Sequence, residues 1–263
     1  MPGLKIGVAI SVYNKGAFVA TNLNVFKGVW KNLNPHVAVC CNDKETLEKL
    51  QTLNIDSLVA GNDYAVNSKH DLRLRQYDCI KKSVNAAAVA TDYVIHWHAD
   101  AFALDGNVIS AMARHMDDNG LLFTGRGLWK SYPCSKTPNG DIDDHFFMAK
   151  SSHVRDSGIY DDNMIDPVKD MISAGMCSEG ILATLVQQFT DQNDIHIYSD
   201  MGECEVLESG RHDPRYPDGI PHRTLPPVNF DHQRKFLHCD DMEHLARIFT
   251  EEGIDPSLIV RTL

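Results

Sequence analysis

A histidine and an aspartate two residues apart are the side chains in this sequence that best suit metal or phosphate chemistry. His98 and Asp100 end an apolar run at residues 93–97, within the segment DYVIHWHADAFAL. Residues two apart in a strand lie on the same face. A carboxylate at the end of a buried strand can bind a divalent cation, with phosphates completing the coordination shell. The alternative interpretation is a strand end with a helix-capping aspartate and a hydrogen-bonded histidine.

Strand and helix signals alternate along the first half of the chain and place this pair at the edge of a sheet. Apolar side chains recur every three or four residues over residues 19–33 and 77–88, which is typical of helices. The alternation predicts an α/β fold with a mostly parallel central sheet flanked by helices. Ligands bind beyond the carboxyl ends of such strands, so the turns at residues 13–16, 42–43 and 98–100 should converge. The predicted strands are residues 5–12, 37–41, 57–60 and 93–97, with a short helix at 46–53.

The second half of the chain carries weaker signals. Residues 125–144 contain glycine, proline and serine, and we expect a long loop of the kind that is often functional. Residues 209–231 are rich in proline, histidine and arginine, which favours an extended tail. The remaining patterns predict helices at residues 109–116, 179–188 and 242–252 and strands at residues 121–124, 146–149 and 195–199.

Composition excludes several classes of protein. The 263 residues include 25 Lys and Arg against 36 Asp and Glu, a net charge of −11, which argues against tight nonspecific binding to nucleic acid or anionic membranes. Apolar runs stay well short of the roughly 20 residues of a membrane helix, and the first residues lack the apolar stretch of a signal peptide. Seven cysteines without a C-x-x-C pair indicate reduced thiols. We therefore expect a cytoplasmic protein.

Four segments, in order, resemble the family 2 glycosyltransferases, which have the GT-A fold. KIGVAISVYNKG, which includes Tyr13, is similar to their first strand and nucleotide loop, and KKSVNAAAVATDYVIHWHAD to the helix and strand leading into their D-x-D motif. FFMAKSSHVRDSGIYDD resembles the strand, helix and turn of their acceptor half, and CSEGILATLV their E-D motif. The resemblance covers roughly residues 4–212 and implies a GT-A-like fold.

The resemblance implies a nucleotide-sugar donor, a divalent metal (Mn²⁺ or Mg²⁺) and usually inversion at the anomeric carbon. Asp100 matches the metal-binding end of D-x-D, whereas His98 stands in place of the first aspartate. An imidazole can still ligate Mn²⁺ or hydrogen-bond a hydroxyl. Asp43 matches the aspartate that often reads the nucleotide base, and its alternative role is to cap the helix that follows.

Glu179 matches the acidic residue that serves as catalytic base in the resembling family. The acceptor hydroxyl must lose a proton as it attacks the sugar, so such a base is required. The second acid of the motif is replaced by Gly180. The rival acids are Asp143 and Asp144, and the alternative role of Glu179 is to complement the helix dipole.

The tail offers further ligands. In the resembling family a histidine after the core often completes the metal shell, and His212 matches that place best, with His222, His232 and His238 as competitors. Arginines and lysines could neutralise the diphosphate leaving group by charge-assisted hydrogen bonds. The candidates are Arg211 and Arg223, then Lys15, Arg73, Arg75 and Lys82.

The resemblance also implies a domain organisation. We expect a catalytic domain over residues 1–208, with a nucleotide-binding half at 1–104 and an acceptor half at 105–208. Residues 209–263 would form a tail and a closing helix packed on that domain.

The leading hypothesis is a metal-dependent glycosyltransferase whose acceptor is a glycan, a protein, a lipid-linked sugar or a modified DNA base. An inactive GT-A-like module that binds a nucleotide or glycan is the alternative, because both acidic motifs depart from the family pattern. A nucleotidyltransferase is disfavoured by the short turn at residues 13–16. The sequence has no G-x-S-x-G, Walker A or G-x-G-x-x-G motif and no zinc-type spacing.

Overall fold

The computed structural model describes residues 3–30, 33–62, 69–127, 142–198, 223–224, 236–239 and 241–263. Strand and helix alternate through the first half of the chain, as the sequence predicts. The strands are β1 Ile6–Val12, β2 His36–Cys41, β3 Ser57–Ala60, β4 Tyr93–His98, β5 Ala101–Ala103, β6 Phe123–Gly127, β7 Ile142–Lys150, β8 Ile195–Tyr198, β9 Arg223–Thr224 and β10 Phe236–His238. The helices are α1 Gly16–Gly28, α2 Lys44–Leu50, α3 Lys69–Ala88, α4 Gly106–Asp118, α5 Ser151–Ser157, α6 Ile165–Ser173, α7 Ser178–Phe189 and α8 Met242–Glu251.

A seven-stranded sheet in the order β3-β2-β1-β4-β7-β6-β8 forms the centre of the protein. Neighbouring strands are parallel except where β7 pairs antiparallel with β4 and with β6. In the described part of this sheet, β7 alone runs in the opposite direction. The predicted α/β fold with a mostly parallel central sheet flanked by helices is confirmed.

The structure departs from the prediction in several places after β4. Residues 142–144, expected in a loop, belong to β7, which starts four residues earlier than the apolar run suggests. Residues 125–127, also expected in that loop, belong to β6. The short strand β5 and the helix α6 have no counterpart in the predicted elements, and residues 209–231, predicted to be extended, are described only at β9.

The two faces of β1 explain how helices pack against the sheet. Ile6, Val8 and Ile10 point into a core shared with α1, α4 and α8. Gly7 and Ala9 occupy the opposite face, against α3. Small residues at these positions allow α3 to approach the sheet closely, so the residues at its N-terminal end are held next to the ends of β1 and β2.

A second, three-stranded sheet continues directly from the end of β4. It has the order β5-β10-β9, with both pairs antiparallel. Helix α8 begins at its cap Asp241, whose side chain accepts a hydrogen bond from the His244 N–H at 2.7 Å. Phe249 of α8 meets the ring of Phe102 edge-on, at 6.4 Å between centroids. The chain after β10 therefore packs against the segment that follows Asp100.

The described cysteines, five in number, are free and buried. Within the described ranges, no helix combines the length and apolarity needed to cross a membrane.

The contact between Gly7 and α3 yields a stability prediction. A Cβ atom at Gly7 would lie 2.8 Å from the backbone oxygen of Ala87 and 3.0 Å from Thr91 Oγ1. Gly7→Ala must therefore push α3 away from β1, and we expect it to lower the free energy of unfolding by about 1–3 kcal/mol. Urea denaturation followed by circular dichroism measures this change.

Gly28→Ala is the matched control. Its new methyl group would meet only the movable side chain of Leu258, at 3.1 Å. Because alanine also favours helix, this variant should be as stable as the wild type or slightly more so. An equal loss of stability in both variants would contradict the role given to Gly7.

Candidate active site at the carboxyl ends of the parallel strands

The turn that carries His98 and Asp100 is fixed by hydrogen bonds from three sides. The Ala99 N–H donates to the Ser11 backbone oxygen of β1 at 3.1 Å. The buried Asn22 side chain donates to the Ala99 backbone oxygen at 2.8 Å. The Cys239 N–H donates to the Asp100 backbone oxygen at 2.8 Å. The position of the Asp100 carboxylate is therefore set by β1, α1 and the chain that follows β10.

An aromatic cluster in the core packs next to the same turn. Trp97, at the end of β4, lies 6.0 Å from Trp30 and 5.8 Å from Phe26 between ring centroids. The Trp30 indole N–H donates to the Ala103 backbone oxygen at 2.9 Å. The segment between β4 and β5 is thus anchored at both of its ends.

Asp100 is buried and forms an ion pair with Lys15. The Lys15 ammonium contacts Asp100 Oδ2, across 85 positions of sequence. The Asp100 side chain is 8% exposed and the Lys15 side chain 35%. The carboxylate therefore already faces a cation that the turn after β1 supplies.

Tyr13, Arg75 and Asp43 form a second group at this edge. The Arg75 guanidinium carbon lies 3.8 Å from the centroid of the Tyr13 ring, a cation–π arrangement. The Asp43 side chain accepts a hydrogen bond from the Thr46 N–H at 2.8 Å and caps α2. Hydrogen bonds from Thr46, and then the charge of Arg75, hold the pKa of Asp43 below its ordinary value. The capping role that the sequence left open is thus present.

Gln76 joins β4 to β7. Its side-chain nitrogen donates to Asp144 Oδ2 and lies 3.3 Å from His98 Nε2. Asp144 is 1% exposed. Since Phe146 pairs with Trp97, Asp144 is positioned beside the end of β4, although it comes from the beginning of β7. The reversal of β7 thus brings an acidic residue to the edge where the parallel strands end.

Glu179 lies in the first turn of α7, near Asp144. Burial, and then the negative charge of Asp144, raise the pKa of Glu179 above its ordinary value. Hydrogen bonds to the Glu179 carboxylate partly offset this rise in pKa. One of them comes from the Ser178 hydroxyl, which donates to Glu179 Oε2 at 3.0 Å. A carboxylate with a raised pKa holds a proton more strongly, which suits general-base chemistry near neutral pH.

Two predicted phosphate-binding residues have other partners in the structure. Lys82 Nζ lies 3.0 Å from Asp78 and 3.3 Å from the Ala60 backbone oxygen, at the end of β3. Arg73 donates to the Met176 backbone oxygen at 2.8 Å. The described partners of Lys82 and Arg73 are thus Asp78, the end of β3 and the residue Met176, and they do not include Asp100 or His98.

Several predicted residues fall outside the described residues. These are Arg211, His212, His222 and His232, together with the side chain of Asp143. For two more, only the backbone is described: Arg223 pairs with His238, which pairs with Ala101 next to Asp100. The register thus places two of the tail positions near the candidate metal-binding carboxylate.

The described side chains supply few metal ligands. No group of three or more His, Cys, Asp or Glu residues that could hold a metal ion occurs in the described part of the chain. Asp100 nevertheless suits a cation, because it is buried and its carboxylate contacts an ammonium group. Mg²⁺ and Mn²⁺ sites with one or two protein ligands are completed by phosphate and water oxygens.

The chain matches no protein-family model, and no curated protein matches its sequence. Among solved structures, it aligns with the crystal structure of mouse xyloside xylosyltransferase 1 in its apo form. The alignment has a TM-score of 0.42 and 13% sequence identity, and covers 74% of this chain and 85% of the mouse protein chain.

Two contributors to the site escaped the sequence analysis. Gln76 lies beside Arg75 on α3, and nothing in its neighbourhood distinguishes it from an exposed polar residue. Asn22 carried a signal, because it falls four residues from both Phe18 and Phe26 on the apolar face of α1. A polar residue at a core position must find a partner, and here that partner is the turn at Ala99.

The raised pKa of Glu179 predicts a pH dependence of stability. The folded state disfavours the ionised form, so the free energy of unfolding should fall as the pH rises from 4.5, the ordinary value, through the raised pKa, and then level off. Glu179→Gln removes the charge and should lack this fall. Urea titrations at about pH 4.5 and about pH 8 compare the two proteins.

Glu48→Gln is the control for this prediction. Glu48 is exposed on α2, so its replacement should leave the pH dependence as in the wild type. A wild-type slope in Glu179→Gln would show that other groups cause the pH dependence.

Proposed function

We propose that this protein transfers a sugar from a nucleotide-sugar donor to an acceptor hydroxyl. The observation that carries the proposal is the meeting, at one edge of the sheet, of a cation-binding carboxylate and a basic carboxylate. Asp100 contacts Lys15, and Gln76 links the end of β4 to Asp144, near Glu179. A site with both groups suits a reaction in which a phosphate leaves while a hydroxyl attacks.

The donor would bind along the ends of β1, β2 and β4. Tyr13 is 44% exposed, and the Arg75 guanidinium lies over one face of its ring. A nucleotide base can stack on such an aromatic group, and the Arg75 and Lys15 side chains offer positive charge to the diphosphate. The family resemblance favours the same edge for the nucleotide.

A divalent metal, Mn²⁺ or Mg²⁺, is part of this proposal. Asp100 would hold it, with His98 and His212 as the further ligands that the resemblance implies. When bound, the metal would neutralise charge that develops on the departing diphosphate. Because Gln76 contacts His98 Nε2, ligation through that nitrogen would require Gln76 to move.

Glu179 would act as the base. Its carboxylate takes the proton of the acceptor hydroxyl while the acceptor oxygen forms a bond to the anomeric carbon. The bond between that carbon and the phosphate oxygen breaks, and the nucleoside diphosphate leaves with the electron pair. Attack opposite the leaving group inverts the anomeric carbon, as the family resemblance implies.

An inactive module that binds a nucleotide or glycan is the second candidate. The contact between Lys15 and Asp100 favours it, because the carboxylate that would bind the metal already has a cation. Assays of sugar release and transfer with a panel of nucleotide sugars, with and without Mn²⁺, separate the two. Nucleotide binding without turnover of any donor would favour the inactive module.

Asp100→Asn tests the metal-binding part of the proposal. An amide oxygen is a weaker ligand than a carboxylate, so Mn²⁺-dependent binding of UDP or GDP should be lost while the fold remains intact. Calorimetric titrations with and without Mn²⁺, together with a circular dichroism spectrum, measure both properties. Unchanged nucleotide affinity in Mn²⁺ would contradict the assignment of Asp100.

Glu179→Gln tests the base. The substitution keeps size and removes basicity, so kcat should fall by roughly 10²–10⁴ while donor binding is retained. The measurement is steady-state transfer with the donor that proves active.

Asp144→Asn is the comparison for this variant. A loss of turnover in Asp144→Asn but not in Glu179→Gln would move the base to the pair Asp143 and Asp144. If neither variant loses activity, a carboxylate base does not limit the rate, and a retaining route becomes the better description.

A further inference from the structure

The side chain of Lys15 stands where the proposed metal would bind. Its ammonium contacts Asp100 Oδ2, an oxygen that a divalent cation would also use. Two cations in contact with one carboxylate oxygen repel each other strongly in a partly buried site. The ion pair and the metal are therefore competing occupants of Asp100.

The two partners of the ion pair differ in how exposed their side chains are. The Asp100 backbone is bound to Cys239 and its side chain is 8% exposed, whereas the Lys15 side chain is 35% exposed. The Lys15 backbone oxygen accepts hydrogen bonds from Phe18 and Val19 at the start of α1. The backbone of Lys15 is thus held by α1, while its side chain is partly exposed.

We propose that Lys15 is a resident counter-ion of this site, which holds Asp100 until a divalent cation displaces it and then turns to the diphosphate of the donor. The proposal rests on the proposed function, because it takes Asp100 as a metal ligand. The Lys15 side chain starts just after β1, at the edge that the proposed function gives to the donor diphosphate.

This arrangement couples the binding of metal and donor. Without the donor, a metal that binds Asp100 must break the ion pair between Asp100 and Lys15. The Lys15 ammonium then remains close to the metal and repels it. With the donor present, the diphosphate gives the ammonium a new partner, so the displacement costs less. Metal and nucleotide should then bind with positive coupling, and each should raise the affinity of the other by the same factor.

Lys15→Met tests the proposal in the protein without nucleotide. The methionine keeps the length of the side chain and removes the charge, so the competitor for Asp100 is lost. We expect this variant to bind Mn²⁺ about tenfold more tightly than the wild type. Electron paramagnetic resonance of free Mn²⁺ during a titration measures the affinity without any need for activity.

Two further variants control for charge. Lys15→Arg keeps a cation beside Asp100 and should bind Mn²⁺ as weakly as the wild type. Lys27→Met removes a lysine that is exposed in the last turn of α1, so it changes the net charge equally and should leave the Mn²⁺ affinity unchanged. Equal affinities in Lys15→Met and Lys27→Met would overturn the proposal, as would tight binding by Lys15→Arg.

Thermal unfolding supplies a second readout. In a chelating buffer Lys15→Met removes the ion pair between Lys15 and the Asp100 carboxylate, so the Tm of the variant should fall below that of the wild type. Added Mn²⁺ should raise the Tm of this variant more than that of the wild type. The added stabilisation should vanish in the double variant Lys15→Met with Asp100→Asn, and its persistence there would show that the metal binds elsewhere.

The failure of this inference differs from the failure of the proposed function. A protein that transfers sugar but binds Mn²⁺ equally with and without the Lys15 ammonium would contradict the counter-ion proposal alone. Tighter Mn²⁺ binding by Lys15→Met in a protein that turns over no nucleotide sugar would support the counter-ion and contradict the transferase.

Discussion

The buried carboxylate of Asp100 constrains the whole ligand edge of the sheet. A buried charge is costly unless a charged or hydrogen-bonding partner accompanies it. Lys15 supplies that partner from the turn after β1, and the hydrogen bonds of Ser11, Asn22 and Cys239 fix the backbone around it. The loops at this edge therefore have to meet with little freedom, which is the condition for a site whose groups act together.

The edge divides into two groups of side chains. Tyr13, Arg75 and Lys15 lie at the ends of β1 and on α3, and they combine aromatic surface with positive charge. Asp144 and Glu179 contribute acidic groups from β7 and α7, where burial raises the pKa of Glu179. Gln76 contacts both Asp144 and His98, at the end of β4.

Sequence reasoning succeeded where one local pattern determines the structure. The apolar runs of β1, β2 and β4 predicted buried strands, and parallel order then required their turns to converge. It was less successful where a contact joins distant parts of the chain. Nothing near Lys15 in the sequence indicates a partner 85 positions away, and a three-residue strand such as β5 is too short to leave a periodic signal. Asp43 is an intermediate case. The same local sequence fits an aspartate that caps a helix and one that contacts a nucleotide base, so the sequence alone does not distinguish the two roles.

The reversed direction of β7 has a consequence for the diversification of such a protein. Gly127 of β6 pairs with Ile142 of β7, so these two strand ends lie side by side at the ligand edge of the sheet. Insertions or replacements between these two positions would leave the described strand pairings of the central sheet unchanged. Evolution could thus change the chain between these two positions while the supporting scaffold is inherited unchanged.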